Sequence, residues 1–389
     1  MTYLPKYGTV VVIMDIFNAF PKSLVQQRRL TMPAKYIRLA NILRETIFQN
    51  TGSGIYKLPS ESELCEQYHM SRQTVRTALH LLMEEGLIEK RQGSGSFSTG
   101  LGAMQNTIAV IVNQAEEYTT PAFLANIKST LSAKGYSITV YSTHSKIAEE
   151  RKILEDIKQA SIRGMIVEGS KTALPNPNLD LYEYLMAKGI SVLFAGGIYP
   201  SLAGCICIKE DNYYGGYLLA KHLILLGHTQ IAGVFKIDDL QGLERYYGFA
   251  AAIRDYGLPL QEDLITWYTA ANLEALQLKS DTGFLSDLLR RNKGLYSSVV
   301  CQNDEIAYWL IRELSYTDIR VPEDISVVSF DNSYMSDLNS THITTLSHDR
   351  DLGITAAATL LKMIQGESVF PEELSWQLIE KNSVAPYTV

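Results

Sequence analysis

The spacing of apolar residues divides the chain into two parts. Between residues 33 and 99, apolar residues recur every three or four positions, which is typical of amphipathic helices. From Thr107 onward, short continuous apolar runs such as Thr107–Val112 and Gly164–Val167 alternate with helical segments. Strands that are apolar throughout are expected in parallel sheets covered on both faces. The pattern therefore predicts a small helical domain followed by a larger α/β domain.

Residues 58–98 have the pattern of a helix-turn-helix followed by a two-stranded wing. Ser60 is placed to cap a first helix, with Glu63 three residues later as in a capping box. Ser71 is placed to cap a second helix, and Gly86 is placed to end it. The second helix has apolar positions at helical spacing that predict a buried face: Val75, Ala78, Leu79, Leu82 and Met83. The glycine-rich turn 93–95 would join the two strands of the wing.

The polar side of this segment suits contact with DNA. An α-helix fits the major groove and can place the side chains of its first turns on base edges. Glycines at the tip of a hairpin allow the backbone to approach a phosphate or the minor groove closely. The alternative is an ordinary amphipathic helix with a solvated face, but the cap, turn, polar front and wing together favour DNA. The candidate DNA-binding residues are Ser60, Glu61, Ser71, Arg72, Gln73, Thr74, Arg76, Gly93 and Gly95.

Four short segments of this domain resemble the winged helix of the gluconate-repressor (GntR) family of transcription regulators. These segments are 58–61, 71–76, 85–88 and 93–97. In that family, the positions that match Arg72, Thr74 and Arg76 contact DNA, and the wing glycines lie along the minor groove. The resemblance therefore implies a DNA-binding domain. Ser96 is a mild departure, because the family usually has threonine there.

Composition limits the function classes. A length of 389 residues exceeds what one core supports and suits two or three domains. The net charge is −7, so binding to nucleic acid must depend on a local positive surface. The four cysteines lack zinc-finger spacing, and we expect neither a metal site nor a disulfide in a protein of the reducing cytoplasm. The apolar run 9–16 is too short to span a membrane.

Four segments are expected along the chain. Residues 1–31 form an extension that we expect to be disordered or not translated, because Met32 directly precedes the first helical pattern. Residues 32–100 would form the winged helix-turn-helix domain. The short, polar, glycine-containing segment 101–106 would be a linker. Residues 107–389 would form the effector and dimerisation domain.

Two successive α/β units of similar size in the larger domain predict two lobes of parallel sheets flanked by helices, with a cleft between them. In such sheets, ligands bind beyond the carboxyl ends of the strands. Carboxylates, amides, long cations and an aromatic ring stand at these strand ends, and this combination suits the hydroxyls and ring face of a sugar. An aspartate after a strand also commonly caps the next helix, so Asp238, Asp304 and Asp331 have a structural alternative. The candidate ligand-binding residues are Tyr118, Glu168, Lys171, Lys236, Asp238, Gln241, Arg245, Asp304, Asp331 and His348.

This domain also resembles a known family, the effector domain of lactose/galactose-repressor-type proteins, which are related to periplasmic sugar-binding proteins. The matching segments are 226–233, 303–307 and 321–331. A GntR-type domain joined to such an effector domain is the arrangement of the arabinose repressors of Gram-positive bacteria. Segments that resemble those repressors are 32–36, 167–173 and 236–242. The resemblance implies L-arabinose or a close pentose as the effector, while Ser170, Ile237 and Phe330 depart from the expected pattern and bear on which sugar binds.

Together these patterns predict a transcriptional repressor of sugar utilisation genes that leaves its operator when a sugar binds the effector cleft. A homodimer formed through the effector domains would place two winged helices on a pseudo-palindromic stretch of double-stranded operator DNA. Sugar would close the lobes and move the two winged helices out of register with the operator half-sites. We expect no cofactor and no membrane partner.

Three alternatives remain open from the sequence. The effector could be another sugar or a nucleoside, with repression or activation as the outcome. The chain could be a sugar-binding receptor without a role on DNA, although the winged helix would then be unexplained. It could also be an enzyme, but the sequence has no Gly-x-Ser-x-Gly elbow, no phosphate-binding P-loop and no cluster with metal-ligand spacing.

Overall fold

The computed structural model describes residues 35–49, 55–99, 106–202, 204–291 and 294–387. The predicted extension 1–31 and all but the last residue of the predicted linker lie outside the described residues. In the described ranges, no helix combines the length and the apolar character needed to cross a membrane.

Residues 35–49 and 55–99 form three helices and a hairpin, which we call the head. Its elements are α1 (Lys35–Gln49), α2 (Glu61–Tyr68), α3 (Arg72–Glu84), β1 (Ile88–Arg91) and β2 (Gly95–Ser98). The Oγ of Ser60 accepts a hydrogen bond from the backbone N–H of Glu63 at 3.3 Å, and the Glu63 carboxylate accepts one from the Ser60 N–H at 2.6 Å. The predicted capping box is confirmed. Ser71 caps α3 through the backbone N–H of Thr74 at 3.2 Å.

One hydrophobic core joins the three helices and the hairpin of the head. Leu39 and Leu43 of α1 and Leu64 of α2 are buried in it. Four of the five predicted core positions of α3 are buried, namely Val75, Ala78, Leu79 and Leu82, while Met83 packs at its edge. Because this face of α3 is buried, the polar face of the same helix lies in solvent.

The first lobe of the effector domain, which we call lobe 1, contains a parallel sheet. Its strands in the described chain are β3 (Thr107–Val112), β4 (Ser137–Ser142), β5 (Gly164–Val167), β6 (Ser191–Ala195), β7 (Ile206–Glu210) and β13 (Glu372–Leu374). They lie in the order β13-β7-β6-β5-β3-β4. The helices that cover the sheet are α4 (Thr120–Ser132), α5 (Ile147–Gln159), α6 (Leu179–Ala187) and α12 (Leu352–Ile364).

The second lobe, lobe 2, repeats this arrangement. Its strands are β8 (Ile231–Lys236), β9 (Ile265–Tyr268), β10 (Ser298–Cys301), β11 (Ser326–Phe330), β12 (Thr344–His348) and β14 (Trp376–Ile379). They lie in the order β14-β12-β11-β10-β8-β9, with β14 antiparallel to its neighbour. The helices are α7 (Asn212–Leu225), α8 (Leu240–Asp255), α9 (Ala270–Lys279), α10 (Gly283–Arg291) and α11 (Asp304–Leu314).

The two lobes are not formed by two successive stretches of chain, and in this respect the sequence-based expectation is wrong. Helix α12 follows a strand of lobe 2 but packs in the core of lobe 1 through Leu360 and Ile364. Strand β13 also pairs in lobe 1, and the chain then returns to lobe 2 as β14. These two strands, together with α9, were not predicted. The sequence pattern does not predict β13 and β14, because both strands are short and contain polar residues such as Glu372 and Gln377 instead of an apolar run.

The head contacts lobe 1 through α1. A Cβ at Gly189, just before β6, would lie 3.4 Å from Arg44 Nη2, and a Cβ at Gly366, just after α12, would lie 3.4 Å from Ile42 Cγ1. Arg44 also forms an ion pair with Glu85 inside the head. A cavity of about 420 Å³ lies beside this contact. The head therefore contacts lobe 1 at the edge where β5 and β6 begin, opposite the carboxyl ends of the strands.

Two glycines allow α7 and α8 to cross in very close contact. A Cβ at Gly216 of α7 would lie 1.9 Å from the carbonyl oxygen of Arg245, and a Cβ at Gly248 of α8 would lie 1.8 Å from that of Tyr213. Both distances are far inside van der Waals contact, so only glycine fits at either position. This packing fixes the backbone of α8 at the point where it carries Arg245 into the cleft.

Gly248→Ala should lower the free energy of unfolding by about 3 kcal/mol, because the added methyl group must push the backbone of α7 away. Denaturant unfolding measures the change. Gly197→Ala is the matched control, since a Cβ there would lie at an ordinary 3.5 Å from Thr172 Oγ1. Equal stabilities of the two variants would contradict the close packing of α7 on α8.

Candidate DNA-binding surface and effector cleft

The head gathers exposed cations on one surface in a chain whose net charge is −7, and Glu61 and Glu89 pair with three of them. Its exposed cations around the start of α3 and the wing are Lys57, Arg72, Arg76, Lys90 and Arg91. The candidate DNA-binding residues all lie at the surface, with Glu61 and Thr74 half-buried. The candidates omitted Lys57, Lys90 and Arg91, although the position of the two latter residues in the wing could have indicated them.

Glu61 links the two parts of this surface. Its carboxylate accepts a hydrogen bond from Arg76 Nε at 2.8 Å and lies 3.5 Å from Lys90 Nζ. Arg76 keeps the pKa of Glu61 below its ordinary value. Since Arg76 belongs to α3 and Lys90 to the wing, Glu61 sets the spacing of two cations from different elements. Although Glu61 is acidic, it can therefore serve the candidate DNA-binding surface by positioning Arg76 and Lys90.

The wing has the geometry of a tight glycine turn. Gly93 and Gly95 have φ values of +73° and +106°, in the left-handed region that favours glycine. The guanidinium of Arg91 lies over the ring of Phe97 at 4.5 Å. The tip of the hairpin, residues 92–95, therefore exposes backbone at two glycines, beside the small side chain of Ser94 and the exposed side chain of Gln92.

The lobes contact each other across the cleft at the carboxyl ends of their strands. The Tyr118 hydroxyl of lobe 1 donates a hydrogen bond to Asp331 of lobe 2. On the same side, the backbone N–H of Thr172 donates to Asp239 Oδ1 at 3.3 Å, and the N–H of Leu240 donates to Thr172 Oγ1 at 3.0 Å. The structure thus brings residues from both lobes together in one cleft, as the prediction of a two-lobed domain requires.

Arg245 is the centre of the first group of polar residues in the cleft. Its side chain is only 1% exposed. It donates to Asn212 Oδ1 at 2.9 Å, to the carbonyl oxygen of Gln302, and to Asp331 Oδ1 at 3.4 Å. The guanidinium lies 4.0 Å from the centre of the Phe330 ring. Asp331 therefore receives hydrogen bonds from both Arg245 and Tyr118 and connects the two lobes.

Three buried polar atoms near the cleft have no hydrogen-bond partner among the described residues. They are Glu210 Oε2, Asp238 Oδ1 and Trp376 Nε1. Trp376 lies 5.6 Å from the Arg245 guanidinium and 5.2 Å from the ring of His348. Burial raises the pKa of Glu210. Glu210 and Trp376 were not among the sequence-based candidates, although Glu210 stands two residues after the predicted strand Cys205–Ile208, whereas no strand was predicted near Trp376.

An acidic group forms the second part of the cleft. Lys236 Nζ lies 2.5 Å from Asp239 Oδ2. Burial disfavours the charged form of Lys236, but Asp239, together with Glu117 and Asp238, outweighs this effect and raises the pKa of Lys236. Burial, and then the neighbouring charge of Glu168, raise the pKa of Glu117 to about 8. Burial also raises the pKa values of Glu168 and Glu305. Glu117 and Glu305 were missed, although each directly adjoins a candidate residue in the sequence.

Asp304 is fully buried, and both its oxygens accept hydrogen bonds from its own lobe. Thr345 Oγ1 donates at 2.8 Å to Oδ1, which also accepts from Ser329. The N–H and Oγ of Ser333 donate to Oδ2 at 2.6 and 2.9 Å. Burial and then Asp331 raise the pKa of Asp304 to about 6. These contacts give Asp304 a structural role, but not the helix capping considered for it from the sequence, because the side chain of Asn303 caps α11.

The remaining candidates lie around the same cleft. Lys171 has a left-handed φ of +52° and is half-buried in the loop that contacts lobe 2. Gln241 stands in the first turn of α8, and His348 ends β12 beside Trp376. Asp238 is buried, and its Oδ2 accepts a hydrogen bond from the N–H of Ala270 at 2.9 Å. Seven of the ten candidates therefore lie at the carboxyl ends of strands or in the loops that follow, while Asp304 begins α11 and Gln241 and Arg245 lie in the first two turns of α8.

Glu117→Gln should weaken the pH dependence of stability. The pKa of Glu117 is about 8 in the folded protein against an ordinary 4.5, so the folded protein retains a proton that the unfolded chain releases. Wild-type stability should therefore fall as the pH rises from about 4.5 to about 8. Thermal unfolding across this range measures the slope. Glu116→Gln is the control because Glu116 is exposed, and a slope unchanged by Glu117→Gln would refute the assignment.

Comparisons with known proteins agree with both domains. Residues 35–97 match the model of the bacterial regulatory proteins of the gntR family, and residues 220–384 match that of a periplasmic binding protein-like domain. Both resemblances predicted from the sequence are confirmed.

Two curated relatives cover almost the whole chain. An arabinose metabolism transcriptional repressor of Halalkalibacterium halodurans is 35% identical over 86% of this chain and 91% of the relative. One of Geobacillus stearothermophilus is 33% identical over 87% and 93%.

Solved structures share the fold of the effector domain. A periplasmic binding protein/LacI transcriptional regulator from Alkaliphilus metalliredigens, complexed with D-xylulofuranose, aligns with a TM-score of 0.60 at 23% identity over 72% of this chain and 99% of that one. A LacI family regulator from Enterococcus faecium with bound ribose aligns with a TM-score of 0.59 at 24% identity over 72% and 100%. The chain belongs to the family of arabinose metabolism transcriptional repressors, as a DNA-binding regulator with a sugar-type effector domain and not as an enzyme.

Proposed function

We propose that this repressor controls genes for pentose use, with L-arabinose as the effector whose binding releases it from operator DNA. The names of the two relatives, which regulate arabinose metabolism, support this choice of sugar. The proposal also places the protein in the cytoplasm, where a bacterial operator lies.

The unpartnered polar atoms of the cleft are the observation that carries the effector proposal. Glu210 Oε2 and Asp238 Oδ1 need donors, and Trp376 Nε1 needs an acceptor. A sugar hydroxyl supplies both functions. A buried polar atom without a partner costs about 1–3 kcal/mol, so a ligand that pairs with these atoms gains that free energy on binding.

The charge of the cleft favours a neutral ligand. Glu117, Glu168 and Glu305 lie around the ion pair of Lys236 and Asp239, so carboxyl groups outnumber cations in this group. Burial raises the pKa values of all three glutamates, and Glu117 keeps its proton at neutral pH, so these carboxyl groups are held toward their neutral form. An uncharged pentose can pair with a carboxyl group in either form, whereas a sugar phosphate or sugar acid would add a negative charge where buried carboxyl groups already outnumber cations.

On the DNA side, α3 would enter the major groove with Arg72 and Gln73 toward the bases. Arg76 and Lys90, spaced by Glu61, would contact phosphates, together with Ser60, Ser71 and Thr74 at the helix starts. The backbone of Gly93 and Gly95 would approach the minor groove.

Homodimerisation through the effector domains would supply the second head for a two-fold operator. Closure of the lobes on a sugar would rotate lobe 1 relative to lobe 2 and carry with it the head that contacts lobe 1 through α1. The distance between the two heads of the dimer would change, and affinity for the operator would fall.

Titration of an operator–protein complex with pentoses tests the effector. L-arabinose should release the complex in a gel-shift assay, whereas arabinose 5-phosphate should not, because its phosphate would enter a cleft in which buried carboxyl groups outnumber cations. D-ribose and D-xylose serve as stereochemical controls. Operator binding that no pentose affects would disprove the proposed inducer, and release by the phosphate ester alone would replace it with an anionic effector.

Arg72→Ala should reduce affinity for the operator by about 1–3 kcal/mol if Arg72 reads a base, with little change for unrelated DNA. Fluorescence anisotropy with both DNAs at one salt concentration measures the difference. His80→Ala is the matched control, because His80 is also exposed on α3 but lies in its second half, beside Glu84. Operator affinity equal to that of the control would exclude Arg72 from base recognition.

A further inference from the structure

The loop 168–173 of lobe 1 forms much of the contact with lobe 2. The N–H of Ala173 donates to the carbonyl oxygen of Asp238 at 3.2 Å. Thr172 adds two hydrogen bonds, to Asp239 and from the N–H of Leu240. The loop also carries Glu168, whose carboxylate accepts from the N–H of Asn113 at 2.9 Å. Its shape therefore decides whether lobe 1 and lobe 2 fit together.

Ser170, in the middle of this loop, is held by hydrogen bonds to other residues of lobe 1. Its side chain is fully buried, and its Oγ lies 2.8 Å from Asn113 Oδ1 and 2.7 Å from Thr143 Oγ1. Its backbone N–H donates to the hydroxyl oxygen of Tyr199 at 2.8 Å. Tyr199 comes from the segment after β6, so this bond ties the loop to a different part of lobe 1.

The Tyr199 hydroxyl is itself oriented by a buried carboxylate. It donates to Glu150 Oε1 at 2.7 Å, and Glu150 is 0% exposed. Tyr182 donates to the same oxygen at 2.5 Å. Asn176 and Asn178 donate to Oε2 at 2.7 and 3.1 Å. Four neutral donors thus surround this carboxylate.

The chemistry of these groups gives the hydrogen bonds a fixed direction. The single proton of the Tyr199 hydroxyl has two acceptors in reach, and it is drawn toward Glu150 Oε1 at 2.7 Å because the Ser170 carbonyl oxygen is farther away, at 3.1 Å. The hydroxyl oxygen then presents lone pairs to the N–H of Ser170. Burial, and then Glu150, raise the pKa of Tyr199 above its ordinary value, so the phenol remains protonated.

We propose that Tyr199, oriented by Glu150, is a positioning residue for the effector response, because it fixes the loop 168–173 in the shape that lobe 2 contacts when the lobes close on the sugar. Tyr199 itself need not touch the ligand. The inference rests on the proposed function, since it assumes that a pentose closes the cleft.

Two variants distinguish positioning of the loop 168–173 from simple stabilisation of the hydrogen bonds around Glu150. Tyr199→Phe and Tyr182→Phe each remove one hydroxyl that donates to Glu150 Oε1, but only Tyr199 also accepts from Ser170. L-arabinose affinity, measured by calorimetry, should fall about tenfold in Tyr199→Phe, the effect of about one hydrogen bond. It should change less than about twofold in Tyr182→Phe. Operator affinity without sugar should match wild type in both variants.

Hydrogen exchange of the sugar-free proteins gives a readout that does not depend on the ligand. Backbone amides of residues 168–173 should exchange faster in Tyr199→Phe than in Tyr182→Phe or wild type. Equal exchange in the two variants, or equal losses of sugar affinity, would overturn the inference. If wild type binds no pentose, the proposed function fails, while the exchange measurement still decides whether Tyr199 positions the loop.

Discussion

The buried guanidinium of Arg245 is the interaction on which the effector cleft depends. A charge that is 1% exposed is tolerated only when it is paired and hydrogen-bonded. Arg245 meets this condition through hydrogen bonds to Asn212 at the start of α7, to Gln302 after β10 and to Asp331 after β11. The close crossing of α7 and α8 fixes the position of the guanidinium. Asp331, which accepts a hydrogen bond from Arg245, also accepts one from Tyr118 in the other lobe. The ends of several strands are therefore connected through one side chain.

The head and the cleft differ in the charged groups that they gather. The head carries exposed cations such as Arg72 and Lys90, whereas the cleft gathers carboxylates such as Glu117 and Glu168. A chain with a net charge of −7 can thus bind a polyanion with one domain and favour a neutral ligand in another. The acidic remainder also discourages binding to DNA that the head does not recognise.

The positions of the two sites in lobe 1 constrain how they communicate. Ligand candidates lie at the carboxyl ends of the strands, while the head contacts the opposite edge near Gly189 and Gly366. A packed sheet between them transmits movement as a rigid body and not through gradual deformation. The loop 168–173, supported by Tyr199 and Glu150, would then decide how lobe 1 meets lobe 2, and α1 would transfer the resulting rotation to the head.

The sequence by itself determined the features that depend on neighbours a few residues apart. The capping box of Ser60 and Glu63, the buried face of α3 and the apolar strands of both lobes follow from local spacing, and the two family resemblances follow from contiguous motifs. The alternation of apolar strands with helices also indicated candidate site residues at strand ends, because a loop that follows a strand can be recognised from the spacing of apolar residues.

Only the tertiary structure decided which of those residues meet and which hydrogen bonds are already used. Tyr118 and Asp331 are 213 positions apart, and no local pattern predicts their contact. Asp304 was a ligand candidate with a structural alternative, and its oxygens accept hydrogen bonds from Ser333 and Thr345. Glu210 and Trp376 became candidates because the fold buries Oε2 and Nε1 without a partner among the described residues. Burial and hydrogen-bond pairing depend on the path of the whole chain, including the return of α12 and β13 to lobe 1, and the spacing of residues along the sequence does not contain that path.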